Sequence, residues 1–367
     1  MRTVYACCLI LLLVWGTAGC KSQQAQPDGG VDAAEDSCDL SHEPKFDAGA
    51  SLPFSGPIVP NIFDVWGTSP DDLYAVGSQG LIMHWDGNRW SYVPGVPEVT
   101  QDLLSIWGSG PDDIYVVGLG GTILKYDGTA WVQMGLPLGD GGVPIGPDLH
   151  AVSGGAKGDA WAVGTNATVL HTTDGVKWSL VNVPTQETLN GVWIAPGGGA
   201  GVIVGNLGTI LEYDGSSWQR RRISGLTAHL KGVWGFSPST VFAMGLNGTL
   251  LTNQGGTWQK VTGQAAQPKD QNCQQVPAPW PNVYLRDAWG FENRLFVIGW
   301  NGTILLGENN VASVYQVTEH RLESIWGMKI IDTPGQGDGG IPDGGLQYHY
   351  EAVIVGVSGA VIRVRID

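Results

Sequence analysis

One unit repeats along this chain, and it limits the possible folds more tightly than any other feature. Its clearest copy, residues 103–134, reads LLSIWGSGPDDIYVVGLGGTILKYDGTAWVQM. Leu103 to Trp107, Ile114 to Val117, Thr122 to Tyr126 and a run opening at Trp131 are short stretches rich in β-branched and aromatic residues. Each is bounded by Gly, Pro or Asp. Such runs between turn residues are strands. Asp127-Gly128 is a hairpin signal, because both residues tolerate positive φ. The unit therefore encodes an antiparallel four-stranded meander.

The unit recurs with a period of about 40 residues. Its first-run anchor falls at Trp66, Trp107, Ser153, Trp193, Trp234, Trp289 and Trp326. A glycine closes the second run at Gly77, Gly118, Gly164, Gly205, Gly245, Gly299 and Gly356, and a small residue follows three later. Seven copies of four strands predict an all-β fold, a seven-bladed β-propeller. A parallel β-helix would need a much shorter period. The seventh copy carries three strands before Asp367. The apolar stretch Leu52–Val59 is expected to supply the fourth, so that an N-terminal strand closes the ring and removes its free edges. One propeller domain is thus expected over residues 51–367.

The first 50 residues read differently. Val4 to Trp15 is an apolar core behind a basic start, shorter than the roughly 20 residues that span a bilayer. Thr17-Ala18-Gly19-Cys20 follows, like the cleavage site of a bacterial lipoprotein. Residues 1–19 are read as a signal peptide and Cys20 as the lipidated residue, with ordinary secretory cleavage near the same place as the alternative. Residues 20–50 are rich in Gln, Pro, Asp, Gly, Ala and Ser, too polar to order themselves, and are read as a tether. The expected location is the bacterial cell envelope, at the outer membrane or cell surface. Five cysteines are present. Two leave with the signal, Cys20 takes lipid, and Cys38 and Cys273 remain as a possible disulfide in an oxidising compartment.

Three insertions interrupt the period. Gly135–His150 and Gly263–Tyr284 lengthen links between repeats and belong to one face of the ring. Lys329–His349 separates the first two strands of repeat seven and belongs to the other face. Loops on a rigid scaffold are the usual carriers of propeller function. The Gly263–Tyr284 link, with Lys269, Asp270, Cys273 and Trp280, is the expected partner-facing element. Trp280, Trp300, Lys269, Asp270 and Arg286 are the candidate binding residues. Of 16 tryptophans, 15 lie outside the signal, and most of these occupy repeat positions and are assigned to packing between blades.

The remaining signals narrow the chemistry. A net charge of −15 and a pI near 4.7 disfavour nucleic acid and anionic membrane surfaces as partners. The sequence lacks H-E-x-x-H, Cys-x-x-Cys, G-x-S-x-G and the D-x-D-x-D-G calcium pattern, and no cofactor or metal is expected. His84 and His171 share a third-strand position that holds Lys125, Glu212 or Leu306 elsewhere, which reads as a solvated blade edge. Asn166, Asn247 and Asn301 are read as turn residues.

Residues 172–178, TTDGVKW, resemble the Asp-box hairpin of sialidase-type (BNR) propellers. The V-W-G, A-V-G-x-x-G-T-I-L and Y-D-G-x-x-W series is similar to Trp-Gly-rich propellers of bacterial exported lipoproteins, including photosystem assembly-factor-type propellers. The resemblance covers about residues 50–367. It implies a non-catalytic, monomeric module binding or scaffolding a protein or glycan. The alternative it implies is a sialidase-like glycoside hydrolase, which needs three arginines at the central mouth with a Tyr–Glu nucleophile pair. Arg220, Arg221 and Arg222 belong to an outer strand, Arg363 and Arg365 to a third strand, and Arg286 alone begins an inner one.

Overall fold

The computed structural model describes residues 44–48, 59–137, 146–262, 264–266, 277–292, 294–308, 311–331 and 348–366. They form seven sheets arranged as a β-propeller, and in blades 1 to 5 each sheet is a four-stranded antiparallel meander in chain order. Blade 2, for example, runs through Leu103–Gly110, Asp113–Gly118, Ile123–Tyr126 and Trp131–Gln133. The first strands of successive blades lie side by side around the axis, and the first strand of blade 7 (Leu322–Ile331) also meets that of blade 1 (Ile62–Ser69).

Two blades depart from the expected plan. The fourth position of blade 7 is taken by Lys45–Ala48, paired antiparallel with Val361–Ile366 in the register Phe46 to Val364. The stretch expected there from the sequence, Leu52–Val59, lies outside the described residues except for Val59. Phe46 packs 5.2 Å from Tyr315 and against the cluster between blades 6 and 7, which rewards pairing this far upstream. In blade 6, Gln264–Ala266 adds parallel to Val311–Gln316, and Pro277–Ala278 adds beyond it, giving six strands. Part of the Gly263–Tyr284 link is therefore sheet on the outer edge of blade 6, satisfying backbone groups that a bare edge would leave unpaired.

The core lies between blades. Seven apolar clusters each draw on two neighbouring blades. At the start of the inner strands, Ile62, Leu103, Leu149, Leu189, Leu230, Leu285 and Leu322 are all fully buried. Each such side chain contributes roughly 1.5–3 kcal/mol.

The Trp-Gly dipeptide has a tertiary cause. At four blade boundaries the tryptophan of one blade lies on the glycine of the next. A Cβ on Gly108 would sit 2.7 Å from the Trp66 ring, on Gly154 2.5 Å from Trp107, on Gly235 2.8 Å from Trp193 and on Gly327 2.8 Å from Trp289. Where repeat three has Ser153 instead of Trp, the next blade has Ile194 instead of Gly, and the Ile194 N–H donates to Ser153 Oγ at 3.2 Å. The glycine closing every second strand is dictated within its own blade. A Cβ there would collide with the carbonyl oxygen of the residue preceding the first strand, Asp102 for Gly118 and Tyr284 for Gly299. Asn166, Asn247 and Asn301 occupy the left-handed region at φ near 56°, as turn residues do.

Candidate functional site: the central channel and its mouth

Every inner strand carries the same irregularity. Its register slips between the buried Leu or Ile and the second residue after it, in all seven blades. Such a bulge inserts one residue and re-aims its side chain. The bulged residues are Phe63, Leu104, His150, Asn190, Lys231, Arg286 and Glu323, and all of them line a central channel of about 690 Å³. The ring they form is uneven. Phe63 and Leu104 are apolar, whereas His150, Lys231 and Arg286 are basic and Glu323 acidic.

The polar part of the ring is only partly paired. Arg286 Nε donates to Glu323 Oε2 at 2.7 Å, and Glu323 is buried. Lys231 Nζ reaches only the neutral Asn190 Oδ1, at 3.3 Å. Among the described residues no carboxylate lies within 4.0 Å of it. Burial, and then the neighbouring Arg286 charge, hold the Lys231 ammonium below its ordinary range. His150 Nδ1 lies 2.9 Å from the Leu189 carbonyl of the next blade. That acceptor assigns the proton to Nδ1 and leaves Nε2 with a lone pair. Burial pushes the His150 pKa down, and Lys231 and Arg286 add to the effect, so the ring is neutral at pH 7.

One residue further along the strands lies a layer of acids. Asp64 accepts from the Val65 N–H and, across the blade boundary, from the Ile106 N–H, both at 2.8 Å. Asp287 does the same for Ala288 at 2.8 Å and Ile325 at 3.0 Å. Between them sits Ser324, whose Oγ is 2.6 Å from Asp64 Oδ1 and 3.1 Å from Asp287 Oδ2. One hydroxyl has one proton to donate. Two ionised carboxylates cannot both be satisfied by it, so the trio is arranged to hold an additional shared proton. Both carboxyls touch the lumen yet are enclosed by protein. This burial raises both above the usual carboxylate range, and with the Asp64 charge added, Asp287 is pushed up to about 6. At this level blades 3, 4 and 5 present Ala151, Gly191 and Gly232, and at the two glycines the next blade's backbone approaches closely.

On the rim beside Glu323 is an aromatic–cation stack. Trp300 lies 4.6 Å from Tyr284 with the rings 10° from parallel. The Arg321 guanidinium sits 5.0 Å above the Trp300 ring and 4.0 Å from Glu323 Oε1. Offset rings under a guanidinium present a flat, half-exposed surface suited to stacking against a ligand.

No protein-family model and no curated protein matches this chain. Solved structures do. YCF48 bound to D1 peptide superposes with a TM-score of 0.57 at 16% identity, covering 84% of this chain and 92% of that one. YCF48 from Cyanidioschyzon merolae gives 0.56 at 14%, covering 87% and 98%. The WD40 repeats of RRP9 give 0.61 at 10%, covering 88% and 97%. At these identities the likeness establishes the propeller fold, and the site must be argued from its own residues.

Of the residues expected to bind, the structure brings Arg286 and Trp300 to one mouth of the channel. Trp280 lies elsewhere on that face, packed into the cluster between blades 5 and 6, with its indole N–H donated to the Gly248 carbonyl at 2.8 Å. Lys269, Asp270, Cys273, Cys38 and Cys20 lie outside the described residues. Sequence reasoning missed Lys231, His150, Tyr284, Arg321 and Glu323. A usable signal existed: when the repeats are aligned, the residue after the buried Leu or Ile is an isolated variable position inside an apolar run.

The position of His84 and His171 is a half-buried pairing site, not a solvated edge. His84 Nε2 meets Asp72 Oδ1 at 2.6 Å and His171 Nε2 meets Asp159 Oδ1 at 2.7 Å, with His171 stacked 3.6 Å from Trp161. At the same position Lys125 pairs with buried Asp113, and Glu212 accepts from Trp258 Nε1 and Asn253 Nδ2 of the next blade. An acid opening the second strand explains why bases are accepted there. Of the arginines a sialidase-like mouth would need, Arg286 and Arg321 stand at the channel, while Arg220 and Arg221 lie on the outer strand Trp218–Arg221 of blade 4. Among the described residues, no group of three or more His, Cys, Asp or Glu could hold a metal ion.

Proposed function

We propose that this chain is a non-catalytic binding and scaffolding module of the bacterial cell envelope, anchored by lipid on Cys20 and held off the membrane by a tether that starts at Cys20 and ends before the blade 7 strand Lys45–Ala48, earlier than the expected boundary at residue 50. Its partner is a protein, engaged through the rim where the inner strands begin. The observation that carries this reading is the stack of Tyr284, Trp300 and Arg321, half-exposed on a rigid ring beside the channel mouth. Aromatic and arginine side chains fixed in place are the residues that most often dominate binding energy. YCF48, a protein of the same fold, is known bound to D1 peptide, which supports a peptide-like partner. Cys38 and Cys273 are proposed as a disulfide pair, and the Asp-box-like turns are assigned to hairpin capping. Asp174 Oδ1 accepts from the Val176 and Lys177 N–H groups in such a turn.

The test is capture of partners from the native envelope with the mature chain, compared with a W300A/R321A variant. A protein retained by the wild type and lost with the variant, at an unchanged melting temperature, is the expected result. Equal capture by both chains would remove the rim from consideration. Retention of glycans only would replace a protein partner with a carbohydrate.

A further inference from the structure

The ring of bulged residues in the channel has an order that the binding reading above does not use. Going round the axis from blade 1, it is Phe63, Leu104, His150, Asn190, Lys231, Arg286, Glu323. In a seven-membered ring the gap between Lys231 and Arg286 faces Leu104, with Phe63 and His150 on either side of it. The throat therefore has a basic wall opposite an apolar one.

The basic wall has unused donors. Among the described residues, the polar partner of Lys231 is a neutral amide oxygen. Arg286 uses Nε on Glu323, and its two terminal nitrogens donate to nothing among the described residues. In the ring itself Glu323 pairs with Arg286, while Lys231 has no carboxylate within 4.0 Å among the described residues. An ammonium held half-buried without a paired counter-ion is costly unless an anion can join it. One unpaired cation fits a monoanion. The acid layer of Asp64 and Asp287 directly below repels a dianion such as phosphate. A planar carboxylate matches the free edge of a guanidinium.

We propose that the channel throat is a binding site for a carboxylate carried on an apolar group. Lys231 and the terminal nitrogens of Arg286 take the carboxylate, and Phe63 and Leu104 cover the apolar part. The shared chemistry belongs equally to a small free acid and to the C-terminal residue of a peptide. The site does not depend on the rim stack of Trp300 and Arg321.

His150 gives the site an internal reporter. It faces Lys231 and Arg286 from blades 5 and 6, Asp148 from its own blade, and the Leu189 carbonyl. Burial is the main cause that keeps the imidazole neutral, and Lys231 and Arg286 add to it. Adding a carboxylate offsets those two cations, so binding favours proton uptake on Nε2 and affinity rises as pH falls.

The experiment is calorimetric titration of the mature chain with N-acetylphenylalanine, its amide, and the tripeptide Gly-Gly-Phe with a free or amidated C-terminus. For an acid of this size a Kd on the order of 1 mM is expected. The acid binds and the amide does not. K231Q weakens binding at least about tenfold, and W300A/R321A leaves it unchanged. Titrations in buffers of different ionisation enthalpy near pH 6.5 show proton uptake, which H150N abolishes while still binding. Binding of the free tripeptide assigns the site to a chain terminus, and binding of N-acetylphenylalanine alone assigns it to a free small acid. Equal binding of acid and amide, undiminished binding by folded K231Q, or no binding of any acid at about ten times that Kd would overturn the proposal.

Discussion

Asp287 ties the inner wall of blade 6 to blade 7 by accepting from the Ile325 N–H, and it meets Asp64 across the Ser324 hydroxyl. The direction of its pKa shift sets the sign of a pH effect. Its folded value, about 6, lies above the ordinary aspartate value of about 3.9. Its contribution to stability is thus fully present below about pH 3.9 and is lost as pH rises through about 6. D287N cannot ionise, and Asp64 then titrates without a charged neighbour. Urea unfolding of the two chains from pH 4 to 7 should show D287N gaining on the wild type by on the order of 1–2 kcal/mol, lumen water having screened part of the effect. His150 shifts the other way, since burial keeps it neutral and its contribution falls with acidification. It is common to both chains and cancels in the difference. Parallel profiles would mean that Asp64 and Asp287 do not share a proton. This residue-level coupling was invisible in the sequence, where Asp64 and Ser324 stand 260 residues apart.

Between elements, the contact that repeats is Trp on Gly across a blade boundary. Blade 3 breaks the rule on both sides of one boundary, with Ser153 opposite Ile194. Ser153 is buried, so S153W alone forces a large ring against the Ile194 backbone and side chain. Overpacking of this kind costs about 1–3 kcal/mol. Adding I194G should recover much of that loss by recreating the arrangement of Trp107 over Gly154. Thermal melts of S153W, I194G and the double variant test the coupling, and strictly additive losses would show that the exchange is coincidental. Because the Trp-Gly spacing is written into each repeat, strand number and blade count could be read directly. The additional strands of blade 6 could not. Gln264–Ala266 and Pro277–Ala278 lack apolar alternation and are ordered by the edge they join.

For the molecule as a whole, blade 7 is where the two ends of the described chain meet. Lys45–Ala48 lies beside the C-terminal strand Val361–Ile366, and Phe46 adds apolar surface to the cluster shared by blades 6 and 7. A chain beginning at residue 51 should melt a few degrees below one beginning at residue 39, since each kcal/mol lost shifts a domain of this size by on the order of 2 °C. Equal melting temperatures would show that this strand contributes nothing to the ring. The repeat by itself determined the fold, because each blade carries its own strands, turns and glycines within about 40 residues, and local chemistry needs no distant partner. It also determined which positions are buried, since the apolar pattern is the same in every copy. Only the tertiary structure decided what faces the axis. The bulge after each buried Leu or Ile turns one variable residue inward, and seven residues from seven repeats become neighbours in a single ring. Lys231 opposite Leu104, and Trp300 beneath Arg321, are products of ring closure, which joins repeats whose sequences carry no information about which of them will face each other.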